Sequence, residues 1–111
     1  MFAQKKCTPC LPGTPPMKVE KARELLAQLP GWEIVMDGRA IKRRVACANF
    51  MKALALAGKL APIAEAEGHH PDLMLGWGYL EMVLWTHSIA GLHENDFIMA
   101  AKFDEVLNNG L

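Results

Sequence analysis

Two short runs rich in β-forming residues, Trp32 to Met36 and Ala40 to Ala46, flank the dipeptide Asp37-Gly38. Asp-Gly supplies the positive φ angles of a tight type I′ turn, so the runs are expected to fold back as a β-hairpin. That antiparallel pair constrains how the segments on either side can pack. On its second strand Ile41, Arg43 and Val45 share one face while Lys42 and Arg44 point the other way. The pleat therefore splits the basic run Lys42-Arg43-Arg44, which disfavours a nucleic-acid patch there.

The flanking segments read as helices. Between Lys18 and Leu29 the residues Val19, Ala22, Leu25, Leu26 and Leu29 fall on one helical stripe, which Pro30-Gly31 stops. Asn49 suits the N-cap of a long helix from Phe50 to Glu67, with Phe50, Leu54, Ala57, Ala61 and Ala64 at helical spacing. Pro62 lies inside it and is expected to kink it locally. Gly68 suits the left-handed residue that ends a helix, and Pro71 prevents resumption.

A second strand pair follows, Leu73 to Trp77 and Leu80 to His87, joined at Gly78-Tyr79. Alternation along the latter puts Leu80, Met82, Leu84 and Thr86 on one face, and Glu81, Val83, Trp85 and His87 on the other. His93 or Asn95 begins a last helix, whose Phe97, Ala100, Ala101, Phe103, Val106 and Leu107 form an apolar surface wide enough to meet more than its own sheet. The order α-β-β-α-β-β-α implies an α+β two-layer sandwich with three helices on one face of a four-stranded antiparallel sheet. Residues 17–111 form its single domain, preceded by an extended arm over 1–16. An open sheet edge suits pairing between copies, as a homodimer or homotetramer.

Composition narrows the functions available. The chain has 111 residues, and twelve basic and twelve acidic side chains give no net charge, which removes any broad attraction to nucleic acid or anionic lipid. No apolar stretch reaches the roughly 18 residues of a membrane span. The first residues, Met1 to Lys6, lack the layout of a secretory signal, so a cytoplasmic protein is expected.

Three cysteines, Cys7, Cys10 and Cys47, cannot pair evenly. The spacing Cys7-Thr8-Pro9-Cys10 invites a zinc or redox reading. A closed zinc site needs four ligands, however, and thioredoxin-type motifs follow a strand and open a helix. This pair instead stands in a proline-rich arm with Pro9, Pro12, Pro15 and Pro16.

The chemistry concentrates in His69-His70-Pro71 and His87. Imidazole is the side chain that both donates and accepts protons near neutral pH without perturbation. Glu65 stands four residues before His69, where an i,i+4 neighbour can orient its ring, and Asp96 can do the same for His87 from the last helix. Three histidines could also hold zinc with a water, but two adjacent ligands on an extended segment rarely converge on one ion.

The set of Glu65, His69-His70-Pro71, Trp77, Thr86-His87 and Asp96 resembles the signature of the pterin-4a-carbinolamine dehydratases. The likeness runs from Leu29-Pro30-Gly31-Trp32 through Ile41, Arg43 and Phe50 to Gly91-Leu92 and Asp96-Phe97. It implies the sandwich architecture and a 4a-hydroxytetrahydropterin substrate left by aromatic amino-acid hydroxylation, with no metal and no cofactor, the pterin being the substrate. It also implies proton transfer by His69 and His87, substrate orientation by His70, supporting roles for Glu65 and Asp96, and a ring face offered to the pterin by Trp32, for which core packing is the competing reading. Dehydration fits such a set, because the departing hydroxyl must receive a proton and the neighbouring nitrogen must lose one.

The competing class is a partner-binding dimerisation or coactivator-like module, a role that a vertebrate member of that family plays for a transcription factor. Three departures from the family pattern stand out: His93 in place of a capping Ser or Thr, Cys47 in place of an aromatic residue, and the apolar bulk of Val83 and Trp85 beside His87.

Overall fold

The computed structural model of the chain describes residues 2–9, 11 and 13–110. Strand β1 (Glu33–Val35) and strand β2 (Ala40–Ala46) run antiparallel, with Val35 opposite Ala40. Asp37 and Gly38 take φ of 55° and 85°, and the Arg39 N–H donates to the Met36 carbonyl at 3.1 Å, as a type I′ turn requires. Met36 is also left-handed, at 55°, a conformation uncommon for a long side chain, and the ladder stops one residue earlier than the pattern suggests.

Helix α1 (Val19–Leu26) is shorter than its stripe, because the chain tightens into i→i+3 bonds from Gln28 to Leu25 and from Leu29 to Leu26. Helix α2 (Phe50–Glu67) begins where Asn49 accepts the Lys52 N–H at 2.9 Å and continues through Pro62. It buries Ala53, Leu56, Leu60 and Ala64, whereas Phe50, Leu54 and Ala61 face outward. The expected stripe was offset: Leu56 and Leu60 deliver more apolar surface to the sheet than Leu54 and Ala61 would.

Strands β3 (Asp72–Gly76) and β4 (Tyr79–Leu84) pair antiparallel, with Gly76 opposite Tyr79. Their turn is therefore Trp77-Gly78, one residue earlier than expected, which gives the left-handed position, φ 88°, to glycine. The sheet order is β1-β2-β4-β3, so the two central strands come from different hairpins. Ile41 and Val45 of β2 and Leu80, Met82 and Leu84 of β4 line the helix-covered face.

Helix α3 (Glu94–Gly110) buries Phe97, Ile98, Met99, Ala100, Phe103 and Leu107. Its wide apolar surface is met on one flank by the N-terminus. Phe2–Gln4 make a 3-10 turn on α3, with the Phe2 ring 6.1 Å from that of Phe97 and only 8% of Phe2 exposed. Lys102 Nζ donates to the Ala3 carbonyl at 2.9 Å. The first part of the arm is thus folded rather than extended, because Phe2 covers apolar surface that the sheet and α2 leave open. Among the described residues no helix is long and apolar enough to cross a membrane.

A Cβ on Gly38 would lie 2.3 Å from Val19 Cγ2, at a φ that disfavours side chains. Gly38→Ala is expected to lower stability by about 1–3 kcal/mol, read from the midpoint of urea unfolding.

Candidate active site

Gly68, at φ 65°, closes α2: its N–H donates to the Glu65 carbonyl and the His69 N–H to the Ala64 carbonyl at 3.2 Å. This turn delivers His69 and His70 from the helix exit, and Pro71 sends the chain onward into β3. The His69 ring turns towards the start of α3, where Nε2 lies 2.6 Å from Asp96 Oδ1. Asp96 has no exposed surface. Its Oδ2 accepts the Thr86 hydroxyl at 2.9 Å and the His93 N–H at 3.0 Å. Asp96 takes two donors on Oδ2 and offers Oδ1 to the imidazole as an acceptor, so the proton of neutral His69 belongs on Nε2, which leaves Nδ1 for a ligand.

His93 occupies the cap that Ser or Thr usually fills. Its Nδ1 accepts the Asn95 N–H at 3.0 Å, while Asp96 returns its carboxylate to the His93 N–H. This is a capping box with an imidazole in the hydroxyl's place, and it sets a negative charge at the positive end of α3.

Two of the expected pairings are exchanged. Asp96 holds His69 rather than His87, and Glu65 reaches His70 rather than His69, with Oε1 2.9 Å from His70 Nε2. The cause is the single exit turn: once His69 is drawn inward to the buried carboxylate, Glu65 is left beside the outward ring. The side chains of Glu65 and His70 are 77% and 57% exposed, so water screens their attraction.

Strand β4 ends at Leu84, short of the expected His87, which begins a 3-10 turn over His87–Ile89. The His87 ring still lies on the same side as Trp85, stacked at 4.0 Å with the planes 32° apart. Trp85 Nε1 donates to Asp72 Oδ2 at 3.1 Å, which ties the stacking partner to β3. His69, His70 and His87 line one cavity of about 280 Å³, together with Trp85, Thr86 and Ser88. A larger cavity of about 560 Å³ between α2 and α3 is lined by Glu67, Lys102 and Glu105 and contains no histidine. The three expected histidines meet in the smaller one.

Trp32 is not brought to that cavity. It is 6% exposed, and its indole N–H donates at 2.9 Å to Asp104 Oδ1, which also pairs with the Arg43 guanidinium. A buried indole needs a partner for its N–H, and Asp104 on α3 supplies one, so core packing explains the residue. Sequence reasoning missed Ser88 and Asp72 and treated Trp85 only as added apolar bulk. The strand alternation that put Trp85 and His87 on one face was the signal that joined them.

His69 also borders a second cavity, of about 310 Å³, walled by Cys7, Thr8, Pro9, Glu67 and Asn95. The Cys7 thiol pKa is pushed up to about 12, by burial first and the Glu67 charge second. Cys10 lies outside the described residues, so the Cys7/Cys10 spacing has no structural counterpart to report. Among the described residues no cluster of three or more His, Cys, Asp or Glu is arranged to hold a metal ion.

Against known proteins, residues 15–106 match the family described as Pterin 4 alpha carbinolamine dehydratase. A protein of Methylococcus capsulatus, provisionally named a pterin-4-alpha-carbinolamine dehydratase, is 52% identical over 102 residues, 92% of this chain and 90% of that one. One of Halorhodospira halophila, provisionally given the same name, is 49% identical over 103 residues, 93% and 94% of the two chains. A crystal structure of a transcriptional coactivator/pterin dehydratase from Brucella melitensis superposes with a TM-score of 0.76 at 30% identity, covering 82% of this chain and 97% of that one.

Asp96→Asn replaces one acceptor oxygen by an NH₂ that faces other donors. It is expected to cost about 3 kcal/mol in chemical denaturation, the scale of breaking a buried hydrogen-bonded charge cluster. The Cys7 thiol ionises less readily folded than unfolded, so the folded state binds more protons above the ordinary thiol range. Stability should therefore fall as pH rises from about 9 towards 12, and Cys7→Ser should flatten that fall in unfolding curves taken across the interval.

Proposed function

Because the chain belongs to the pterin 4 alpha carbinolamine dehydratase family, we propose that it removes water from a 4a-hydroxytetrahydropterin to leave the quinonoid dihydropterin, by histidine acid-base catalysis. The observation that carries this reading is the convergence of three imidazoles on one small cavity beside a fully buried carboxylate. In the reaction the bond from carbon 4a to its hydroxyl oxygen breaks. That oxygen takes a proton from one imidazole and departs as water, while the neighbouring nitrogen gives its proton to another acceptor as the double bond forms. No electron is gained or lost overall.

His69 and His87 serve as the proton-transfer pair and His70 orients the substrate. Asp96 fixes the His69 ring, and Trp85 restrains His87 by stacking on it. Supplying a hydroxyl with a proton and relieving a nitrogen of one takes one donor and one acceptor, each within reach of its own atom. Placement of His69 at a helix exit and His87 in the 3-10 turn after β4 supports that division. The product feeds tetrahydropterin recycling after aromatic hydroxylation.

Association between copies belongs to the same proposal. The β3 edge leaves Leu73, Met74 and the adjacent Trp77 exposed, and α2, which packs against β3, exposes Phe50, Met51 and Leu54. Apolar side chains beside an unpaired strand edge favour pairing with a second copy. Light scattering on eluting protein should give a dimer or tetramer, and Met74→Lys should shift it towards monomer. The same surface supports the second reading, a module that joins a protein partner; capture of that partner undiminished by loss of the histidines would favour it.

The deciding experiment follows quinonoid dihydropterin formation from freshly generated 4a-hydroxytetrahydropterin, against the spontaneous rate and with a chelator present. Acceleration is expected, and His70→Ala should lower kcat/KM roughly 10²-fold with the fold intact. Folded protein that gives no acceleration would overturn the dehydratase reading.

A further inference from the structure

The arm before the matched family segment lies against the candidate site. Glu67 Oε1, in the last turn of α2, accepts the Cys7 N–H at 2.7 Å. Asn95, in the first turn of α3 and only 4% exposed, forms a reciprocal pair with Thr8. Its Oδ1 accepts the Thr8 N–H at 3.0 Å, and its Nδ2 donates to the Thr8 carbonyl at 2.6 Å. These are backbone bonds of the kind a strand neighbour would make, supplied here by side chains. The chain leaving the arm returns to the same region, where the Met17 N–H donates to the Leu92 carbonyl at 2.8 Å. The arm thus touches the chain at Leu92 and again at Asn95, just ahead of Asp96.

Glu67 and Asn95 are not arbitrary anchors. Glu67 is two residues before His69, and Asn95 is next to Asp96, the buried acceptor of the His69 ring. His69, with Gly68, lines both the histidine cavity and the cavity walled by Thr8 and Pro9. We propose that residues Cys7–Pro9 are a positioning strap for His69, tying the exit of α2 to the first turn of α3 so that the imidazole and Asp96 keep their alignment. Glu67 and Asn95 are positioning residues, acting through the arm backbone and His69. The effect on turnover rests on the dehydratase reading; the effect on the His69 ring does not.

The physical reason is leverage. His69 and Asp96 belong to different elements, and their 2.6 Å contact is held only as well as those two ends are held. An imidazole that transfers a proton loses rate steeply when its aim drifts, so a small loosening at Asn95 becomes a loss in kcat rather than in binding.

The test uses three full-length variants. Asn95→Ala removes both bonds to Thr8, Glu67→Ala removes the acceptor of the Cys7 N–H, and Glu67→Gln keeps an acceptor while discarding the charge. For the two alanine variants, amide exchange at Cys7 and Thr8 should quicken and the ring resonances of His69 should shift or broaden. Their kcat should fall roughly tenfold with KM within about twofold, and the pH profile of kcat should change. Glu67→Gln should behave as the parent protein. If Asn95→Ala does not fold, Glu67→Ala decides alone.

The proposal is overturned if the arm amides exchange freely in the parent protein, or if releasing the arm leaves the His69 resonances and kcat unchanged. It is overturned equally if Glu67→Gln fails like Glu67→Ala, since charge would then be the cause. Should the parent protein not accelerate dehydration at all, the dehydratase reading fails, and the His69 resonances still decide the strap.

Discussion

Asp96 has no exposed surface, yet its two oxygens gather groups from three parts of the chain: the ring after α2, the hydroxyl after β4 and the backbone N–H before its own helix. A carboxylate taken out of water is costly unless its lone pairs are met. Here they are met by three donors and by the positive end of α3. The arrangement makes the site a consequence of folding: β4, α2 and α3 cannot dock with Asp96 buried unless Thr86, His69 and His93 arrive together. Among the described residues no buried side-chain polar atom lacks a partner, so nothing competes for those bonds.

The sandwich supplies the frame on which this happens. The helix-covered face is apolar through Ile41, Val45, Leu80, Met82 and Leu84, and it carries no chemistry of its own. Reactive groups collect where regular elements stop, because only there does the chain leave side chains free to turn away from the core. His69 and His70 stand one turn beyond α2, and His87 stands three residues beyond the end of β4. Trp85 bridges the two worlds, its indole N–H tied to Asp72 and its ring face given to His87.

How much of this the sequence displayed depends on the range of the interaction. Asp37-Gly38, Asn49 and Gly68 act within a few residues of themselves, and each turn or cap formed where those residues placed it. That His69, His70 and His87 belong together was legible too, through the likeness of their set to a family signature, although Ser88 beside them was not. The partners within it were not. Whether Asp96 meets His69 or His87 is decided by how α3 docks, and an i,i+4 spacing could not show that His69 was already engaged elsewhere. Core packing of Trp32 was weighed from the start, but its partner Asp104 escaped for the same reason, since it lies seventy-two residues away. Phe2 is the plainest case: a single aromatic residue in a proline-rich arm carries no periodicity, and only the finished surface of α3 gives it a place.

The three imidazoles are held with very different firmness, and that difference bears on the division of labour proposed for them. His69 is locked at one ring nitrogen by a buried carboxylate, so its other nitrogen has a fixed aim, which a proton transfer requires. His87 is restrained through a ring face rather than a ring atom, so both of its nitrogens remain able to exchange protons with a ligand. His70 is exposed and paired to an exposed Glu65, in a medium that weakens the pair to little more than a preference. A ring so loosely held adapts to whatever enters. It suits binding and orientation, whereas the firmly held rings suit the steps in which a proton must travel a short, fixed path.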